Sequence, residues 1–353
     1  MGGYVSRFRR PPLVREPAHC HETDARIIAK ATMKAAVITR YGSPDVVRIR
    51  DVPRPSPATG EVLVRVHATT VGRTDCAELR AHPFLMRLVT GLFRPKRSIF
   101  GLDFAGTVEA VGDAVTAFSP GDPVFGMCPS RSNGAQAEYV SVPEGVVAAM
   151  PADVGFDEAV MCEGAFYAHA VLNRIGLKPG DTILIYGASG AIGLALVQLA
   201  KYSGAAVTAV VATRHLALVK ALGADRAVDY TAEDFTRIGE TFDCVVDAVG
   251  KTTFFRCRRL PKPVAVFAAT DMGPWGQTVL LALWSMIRRN NRVVIPVPGR
   301  IGEFVGVLKA LIEAGAMRAA IDRKYRLADI ADAYRYVETG QKTGTVVITI
   351  ALT

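Results

Sequence analysis

The amino-acid sequence predicts an α/β protein in which a small, barrel-like β-lobe precedes a doubly wound parallel sheet. Two observations predict this fold class. Residues 33 to 157 contain short stretches of alternating apolar and polar residues, such as 61–69, separated by turn residues, which is typical of β-structure. From residue 158 onward, apolar strands alternate with helical patterns. That alternation indicates βαβ units and therefore a parallel sheet.

Length and composition narrow the class of protein. The 353 residues are enough for about two domains of roughly 150 residues each. With 50% hydrophobic and 21% charged residues, the chain is neither disordered, collagen-like nor a coiled coil. The longest apolar run, 279–287, is too short to cross a bilayer. The six cysteines form no C-x-x-C pair, which favours a reduced, cytoplasmic protein.

The net charge of +9 favours an anionic partner. There is no zinc-finger spacing, aromatic RNA-binding stretch or long basic run, so we expect no nucleic acid. A phosphate-rich cofactor is the simpler anion.

The elements of the second half follow one another in a regular order. Residues 182–187, 206–211, 242–250, 263–270 and 292–297 are predicted strands, and 191–203 and 214–222 are predicted helices. Helices are also expected at 301–314 and 327–338, before a last strand at 345–350. The continuous apolar character of 182–186 is typical of a strand that is buried on both faces.

A glycine-rich turn lies between the first of these strands and its helix. Residues 186–193 read Tyr-Gly-Ala-Ser-Gly-Ala-Ile-Gly, an A-x-G-x-x-G pattern. Gly190 allows a pyrophosphate to approach the backbone, and Gly193 allows the helix to pack on the strand. A tight turn without a ligand is the alternative, but the βαβ context favours dinucleotide binding. The predicted contacts are Ala188, Ser189, Gly190, Ala191, Ile192 and Gly193.

The residues after the second strand indicate which dinucleotide binds. An NAD site expects a carboxylate about 20 residues after the glycines, yet no Asp or Glu occurs between Gly193 and Asp225. Thr213 and Arg214 follow the strand instead, and they suit the 2′-phosphate of NADPH. Tyr230 adds a third predicted contact. The alternative for Arg214 is a solvated residue in the first turn of a helix.

The order of these parts resembles the medium-chain dehydrogenase/reductase superfamily. The resemblance is carried by residues 33–47 (MKAAVITRYGSPDVV), 57–75 and 101–126, and then by LKPGDTILIYGASGAIG, ALGAD and GQKTGTVVI in the same order. It covers residues 33 to 350. It implies a GroES-like lobe at 33–157, a Rossmann lobe for NADP(H) at 158–298 and a return to the first lobe at 299–353. Residues 1–32 are then a flexible N-terminal extension.

Within the superfamily, the resemblance is to zinc-independent quinone oxidoreductases and to alcohol dehydrogenases. The alcohol dehydrogenases hold a catalytic zinc on a Cys, a His and a second Cys. Here the first position falls in the Gly-Arg-Thr-Asp stretch 72–75, and the His position is Leu102. Cys162 lies near the position of the third zinc ligand, but the other two ligands are missing. Of the four cysteines that bind a structural zinc in that family, only Cys128 lies in the corresponding region. We therefore expect no zinc.

Two positions depart from the quinone oxidoreductase pattern. Gly72 stands where that branch usually has Asn, and Tyr167 replaces a Thr that is common near the nicotinamide. The resemblance further implies nicotinamide contacts at the ends of later strands, which an open α/β sheet uses to bind ligands. These contacts are Tyr167, Ala248, Val249, Gly250, Ala269, Thr270 and Val297.

The expected function is zinc-independent transfer of a hydride from NADPH to a small-molecule quinone or α,β-unsaturated carbonyl. Such acceptors spread the developing charge over a π-system, and the protein supplies orientation. Tyr41 and Arg73 are candidates for polarising the acceptor, with Asp75 and Asp103 lining its pocket. The two aspartates are equally well explained as turn or helix-cap residues.

Two other functions stay open at this point. One is a metal-free NADP-dependent alcohol or aldehyde oxidoreductase, and the other is a non-catalytic member of the fold that binds nucleotides or nucleic acid. Residues 82–97 are apolar and basic, which favours a helix packed on the substrate cleft, with a lid or a membrane contact as alternatives. Residues 279–289 are similar, and the resemblance places a homodimer contact there.

Overall fold

The first lobe is built on a seven-stranded sheet in the computed structural model, which describes residues 32–82, 84, 87–130, 132–271, 273, 276–287, 293–297 and 299–351. The strands of the first lobe are β1 (Thr32–Val37), β2 (Arg48–Pro53), β3 (Glu61–Thr70), β4 (Asp103–Val111), β5 (Pro123–Met127), β6 (Tyr139–Pro143), β7 (Val147–Ala149), β14 (Ile321–Arg326) and β15 (Thr345–Thr349). The order in the seven-stranded sheet is β14-β15-β3-β4-β5-β7, with β6 paired to β3, and β1 and β2 form a separate antiparallel pair.

The second lobe is a six-stranded parallel sheet. Its strands are β8 (Thr182–Tyr186), β9 (Ala206–Val211), β10 (Arg226–Asp229), β11 (Phe242–Asp247), β12 (Pro261–Ala269) and β13 (Val293–Val294). Their order, β10-β9-β8-β11-β12-β13, is that of a doubly wound fold, and it confirms the predicted α/β class. The order reverses between β8 and β11, whose ends lie side by side.

Helices pack on both faces of this sheet and also against the first lobe. They are α1 (Arg73–Arg80), α2 (Arg87–Thr90), α3 (Phe156–Ala159), α4 (Cys162–Ile175), α5 (Ala191–Tyr202), α6 (Leu216–Ala221), α7 (Gln277–Ile287), α8 (Ile301–Glu313) and α9 (Ile330–Glu338). Within the part of the chain that is described, none of them is long and apolar enough to cross a bilayer.

Strand β8 is apolar throughout because each of its faces meets a different core. Ile183 and Ile185 pack with residues of α4, α5 and α8, whereas Leu184 belongs to a second core with Val245 and Phe267. The hydrophobic effect therefore stabilises both sides of the strand, as the sequence pattern predicts.

The end of the chain completes the first lobe. After passing the parallel sheet, β15 pairs antiparallel to β3, with Val347 opposite Thr70. Helix α9 is joined to α1 by Arg80, whose Nε and Nη2 donate to Glu338 at 2.6 and 2.7 Å. The 340–344 turn between α9 and β15 lies beside the parallel sheet, where the N–H of Gly344 donates to the carbonyl oxygen of Ser189.

Three predicted elements differ in extent. The strand expected at 292–297 is limited to β13 in the described residues, because Pro296 has no N–H to donate to a sheet. The helix expected at 214–222 begins as a 3₁₀ turn, Thr213–His215, before α6, and α9 likewise follows a 3₁₀ turn at Leu327–Asp329. The expected extension, apart from Thr32, lies outside the described residues.

Candidate active site

The three glycines of the glycine-rich turn differ in the space around them: a side chain would clash at Gly187 and Gly193 but not at Gly190. Gly187 has φ +76°, and a Cβ added there would lie 2.5 Å from Val249. A Cβ on Gly193 would lie 2.3 Å from the carbonyl oxygen of Gly187, so α5 packs directly on the turn. By contrast, a Cβ on Gly190 would meet no atom nearer than 3.8 Å. The turn is thus shaped so that a ligand can approach Gly190.

The other residues of the turn have different surroundings. Ala188 is buried, and its N–H donates to the carbonyl oxygen of Val210 at 3.3 Å. Ser189 accepts the N–H of Gly344 at 2.8 Å, which joins the turn to residues 340–344. Ala191 and Ile192 are partly exposed at the start of α5, where backbone N–H groups favour anions.

The residues predicted to hold a 2′-phosphate lie together at the end of β9. Thr213 and Arg214 are exposed, and Tyr230 is about half exposed. The hydroxyl of Thr213 donates to Asp229 Oδ2 at 2.5 Å, and Arg214 Nη2 donates to Oε1 of Gln341 at 2.9 Å. The sequence reasoning missed both of these partners because they come from later in the chain.

Asp247 organises the strand ends on the other side of the turn. Its buried carboxylate accepts the N–H groups of Val249, Gly250 and Thr252 at 3.0, 2.9 and 2.9 Å. Its carbonyl oxygen accepts the N–H of Thr270 at 3.0 Å. Burial raises the pKa of this carboxyl, while the backbone hydrogen bonds oppose the rise. Asp247 therefore joins two loops that were predicted to contact the nicotinamide.

The predicted nicotinamide contacts differ in exposure. Ala248 and Ala269 are buried, Val249, Gly250 and Thr270 are partly buried, and Val297 is exposed. The structure thus places the first five around Asp247 and leaves Val297 at the surface.

Asp75 and Asp103 are buried and bound to backbone. Asp75 accepts the N–H groups of Gly72 at 2.7 Å and Gly101 at 3.1 Å, and Asp103 accepts the N–H of Glu163 at 2.8 Å. Burial raises the pKa of both carboxyls, that of Asp75 to about 7. Both aspartates therefore act as cap residues: Asp75 holds the loop before α1, and Asp103 holds the first turn of α4.

A partly buried acid beside Asp75 and Asp103, Glu163, was missed by the sequence reasoning. A Cβ placed on Gly72 would lie 2.4 Å from its Oε2 atom, so the missing side chain at position 72 makes room for this carboxylate. Burial raises the pKa of Glu163, and Thr74 and Lys342 oppose that rise. Burial in turn lowers the pKa of Lys342, and Glu163 opposes it. The signal available in the sequence was an acidic residue within the otherwise apolar first turn of α4.

The remaining candidates for the acceptor side do not form one cluster. Arg73 is exposed at the start of α1, where its Nη1 would be 3.4 Å from a Cβ on Gly340. Tyr167 lies one turn after Glu163, and burial raises its pKa to about 12. The hydroxyl of Tyr41 donates to the carbonyl oxygen of Gly91 at 2.7 Å, so it is engaged by a different segment.

The comparisons place this architecture among known proteins. The family model described as zinc-binding dehydrogenase matches residues 222–348, and the alcohol dehydrogenase GroES-like domain matches 58–152. The 2-methylene-furan-3-one reductase of Solanum lycopersicum is 32% identical over 343 residues, covering 93% of this chain and 81% of that one. The chloroplastic NADPH-dependent alkenal/one oxidoreductase of Arabidopsis thaliana is 30% identical, covering 90% and 79%.

A solved structure agrees with these relatives. The quinone oxidoreductase from Coxiella burnetii superposes with a TM-score of 0.81 at 25% identity, covering 91% of this chain and all of that one. The likeness thus extends over both lobes.

The residues present do not fit the zinc ion that one family description mentions. The described part of the chain contains no group of three or more His, Cys, Asp and Glu residues suited to a metal. Leu102 offers no donor atom, and it is buried. Burial raises the pKa of Cys162 well above its usual value, which disfavours the thiolate that zinc binds.

Proposed function

Because the chain belongs to the quinone oxidoreductase-like branch of the medium-chain dehydrogenase/reductase superfamily, we propose that this oxidoreductase reduces quinones or α,β-unsaturated carbonyls with NADPH. The observation that carries the proposal is the open space above Gly190, together with the buried Leu102 and protonated Cys162, which are unsuited to zinc. The named activities of the tomato and Arabidopsis relatives support it.

The chain's own residues divide the work of binding. Gly190 and the N–H groups at the start of α5 would bind the pyrophosphate, and the loops held by Asp247 would border the nicotinamide. The bound cofactor supplies a hydride. Since a π-system spreads the negative charge over the acceptor, orientation and a nearby positive charge are sufficient without a metal.

The acceptor side is formed by the loop before α1 and the first turn of α4. Asp75 and Asp103 hold these two segments through backbone N–H groups, so their role is to position. Arg73 is the exposed cation of this loop, and it attracts the developing charge on an acceptor oxygen. A proton from solvent completes the reduction. Tyr41, whose hydroxyl is bonded to Gly91 of a different segment, would have to release that bond to polarise the acceptor.

The preference for NADPH depends on Arg214. Its guanidinium is exposed, with Nη2 reaching across to Gln341 and Nε donating to the buried His215 at 2.9 Å. The Nη groups can therefore turn toward a 2′-phosphate while the Nε bond to His215 is kept. We expect Arg214→Ala to weaken NADPH binding about 10- to 100-fold, since a charge-assisted hydrogen bond contributes about 1.5–3 kcal/mol. NADH binding should change little. Arg237→Ala, which removes another exposed arginine of the same lobe, is the matched control. Equal losses for both cofactors would refute the assignment.

The reaction is tested by following NADPH absorbance. EDTA-treated protein is mixed with a panel of quinones and enones, with NADH in parallel. We expect fast loss of NADPH with one acceptor class and little loss with NADH. Loss of activity after EDTA that Zn²⁺ restores would refute zinc independence. Reversible oxidation of alcohols with NADP⁺, without enone or quinone reduction, would instead support the alcohol dehydrogenase alternative. The homodimer, the cytoplasmic location and the domain boundaries stay predictions.

A further inference from the structure

One stretch of the first lobe is entirely without acidic residues. The 24 residues between Glu78 and Asp103 include five Lys or Arg residues and no Asp or Glu. Two of the arginines are paired with acids from elsewhere: Arg80 with Glu338, and Arg97 with Glu78. The other positive charges are not balanced within the stretch, which makes this part of the surface basic.

The same stretch exposes large apolar side chains. Phe84, Leu88, Leu92 and Phe93 are 68%, 70%, 49% and 88% exposed. Single exposed apolar residues are ordinary, but four within ten positions form a patch that indicates an interaction. Next to them, Arg94 and Lys96 are exposed, and neither makes an ion pair with any described residue. We call these six residues the apolar–basic surface: Phe84, Leu88, Leu92, Phe93, Arg94 and Lys96.

The apolar–basic surface is attached to the first lobe through Tyr41. The Tyr41 hydroxyl is 2.8 Å from Oγ1 of Thr90 and donates to the carbonyl oxygen of Gly91 at 2.7 Å. The guanidinium of Arg87 lies 5.1 Å from the ring centres of both Tyr41 and Phe84. These contacts hold the surface in place against the first lobe.

We propose that the apolar–basic surface docks on the interface of a lipid bilayer that contains anionic lipids. Apolar side chains enter the boundary between headgroups and acyl chains, and adjacent cations bind the negative headgroups. A second copy of the chain fits less well. In a two-fold contact the same patch would meet itself, so the Arg94 and Lys96 residues of both copies would come together with no acid in the stretch to pair them.

Sedimentation with vesicles tests this proposal without substrate or cofactor, so its result is independent of the proposed reaction. The full chain is mixed with vesicles of phosphatidylcholine alone and with vesicles containing 30% phosphatidylserine. We expect binding to the anionic vesicles, which weakens at high salt, and little binding to the neutral ones. No binding to anionic vesicles would overturn the proposal.

Matched variants locate the contact. Because each cation near an anionic surface contributes a factor of about five, Arg94→Gln with Lys96→Gln should weaken binding roughly 30-fold. Leu88→Ser with Phe93→Ser should weaken it at least tenfold through lost apolar contact. The controls are Arg237→Gln with Arg300→Gln, which changes net charge equally, and Phe255→Ser, which removes an apolar residue 57% exposed elsewhere.

Two results would contradict the assignment even if vesicles bind. One is an equal loss of binding in the controls and in the variants of the apolar–basic surface. The other is a concentration-dependent dimer, seen by sedimentation velocity, that Leu88→Ser with Phe93→Ser dissociates. Circular dichroism melting of each variant establishes that it is folded.

Discussion

Replacing Gly72 by alanine tests whether position 72 is small because Glu163 occupies its space. The backbone of Gly72 is extended, with φ −102° and ψ 174°, so alanine causes no backbone strain. Its Cβ, however, would be 2.4 Å from Oε2 of Glu163. The carboxylate must rotate away from its partly buried place, where Thr74 and Lys342 favour its charged form. That costs about 1–3 kcal/mol.

The expected net effect is smaller than this cost. Replacing glycine by alanine at a compatible position lowers the entropy of the unfolded chain and stabilises by about 0.4–1 kcal/mol. Gly72→Ala should therefore lower the free energy of unfolding by about 1–2 kcal/mol. If Glu163 is first changed to Ala, the opposing carboxylate is gone, and Gly72→Ala should be neutral or slightly stabilising. The coupling energy in this double-mutant cycle is then about 2 kcal/mol.

Urea unfolding at pH 7, followed by circular dichroism, measures the four proteins of the cycle. Gly155→Ala is a control of similar design, since Gly155 also precedes a helix whose third residue is an acid. A Cβ on Gly155 would lie 3.7 Å from Oε2 of Glu158, which is an ordinary contact, so its effect should be small. Equal destabilisation by Gly72→Ala with and without Glu163, within about 0.5 kcal/mol, would refute the steric argument.

Two further outcomes can be checked by unfolding measurements. The pKa of Asp75 is raised from 3.8 to about 7 in the folded protein, so its contribution to stability is full below pH 3.8 and is lost as the pH rises through 7. Between pH 4 and pH 8, the free energy of unfolding of the wild type should fall by up to about 4 kcal/mol relative to that of Asp75→Asn. Parallel pH profiles of stability for the two proteins would contradict this. Gly193→Ala should destabilise by more than about 2 kcal/mol and abolish cofactor binding, because its Cβ meets backbone at 2.3 Å. Gly306→Ala, in α8 with open space around it, should instead stabilise by up to about 1 kcal/mol, and similar effects at both glycines would refute the packing argument.

The elements of the parallel sheet were predictable because their signals are local. The apolar run 182–186 corresponds to β8, and the predicted strand 206–211 has the same bounds as β9. The glycine-rich turn also has a local cause, since Gly187, Gly190 and Gly193 lie within seven residues of one strand-turn-helix unit. The observed strand differs from the predicted one where a proline interrupts the pattern, because Pro296 limits the strand that contains β13.

The partners of the predicted residues were not predictable in the same way. Arg214 was predicted from its place after a strand, but Gln341, which accepts its hydrogen bond, is 127 positions away. Asp103 was predicted to line a pocket, yet it accepts the N–H of a residue 60 positions later. Side-chain type and spacing do not reveal such contacts, because they arise only when α4 packs on the first lobe and the 340–344 turn packs beside the parallel sheet.

The sequence by itself therefore determined the fold class, the parallel sheet and the glycine-rich turn, because periodicity, turn residues and short-range packing act over a few residues. Only the tertiary structure decided that Glu163 fills the space beside Gly72 and that Asp247 holds the loops at the strand ends. The physical reason is that burial and hydrogen bonding of these carboxylates depend on surfaces brought together from distant parts of the chain.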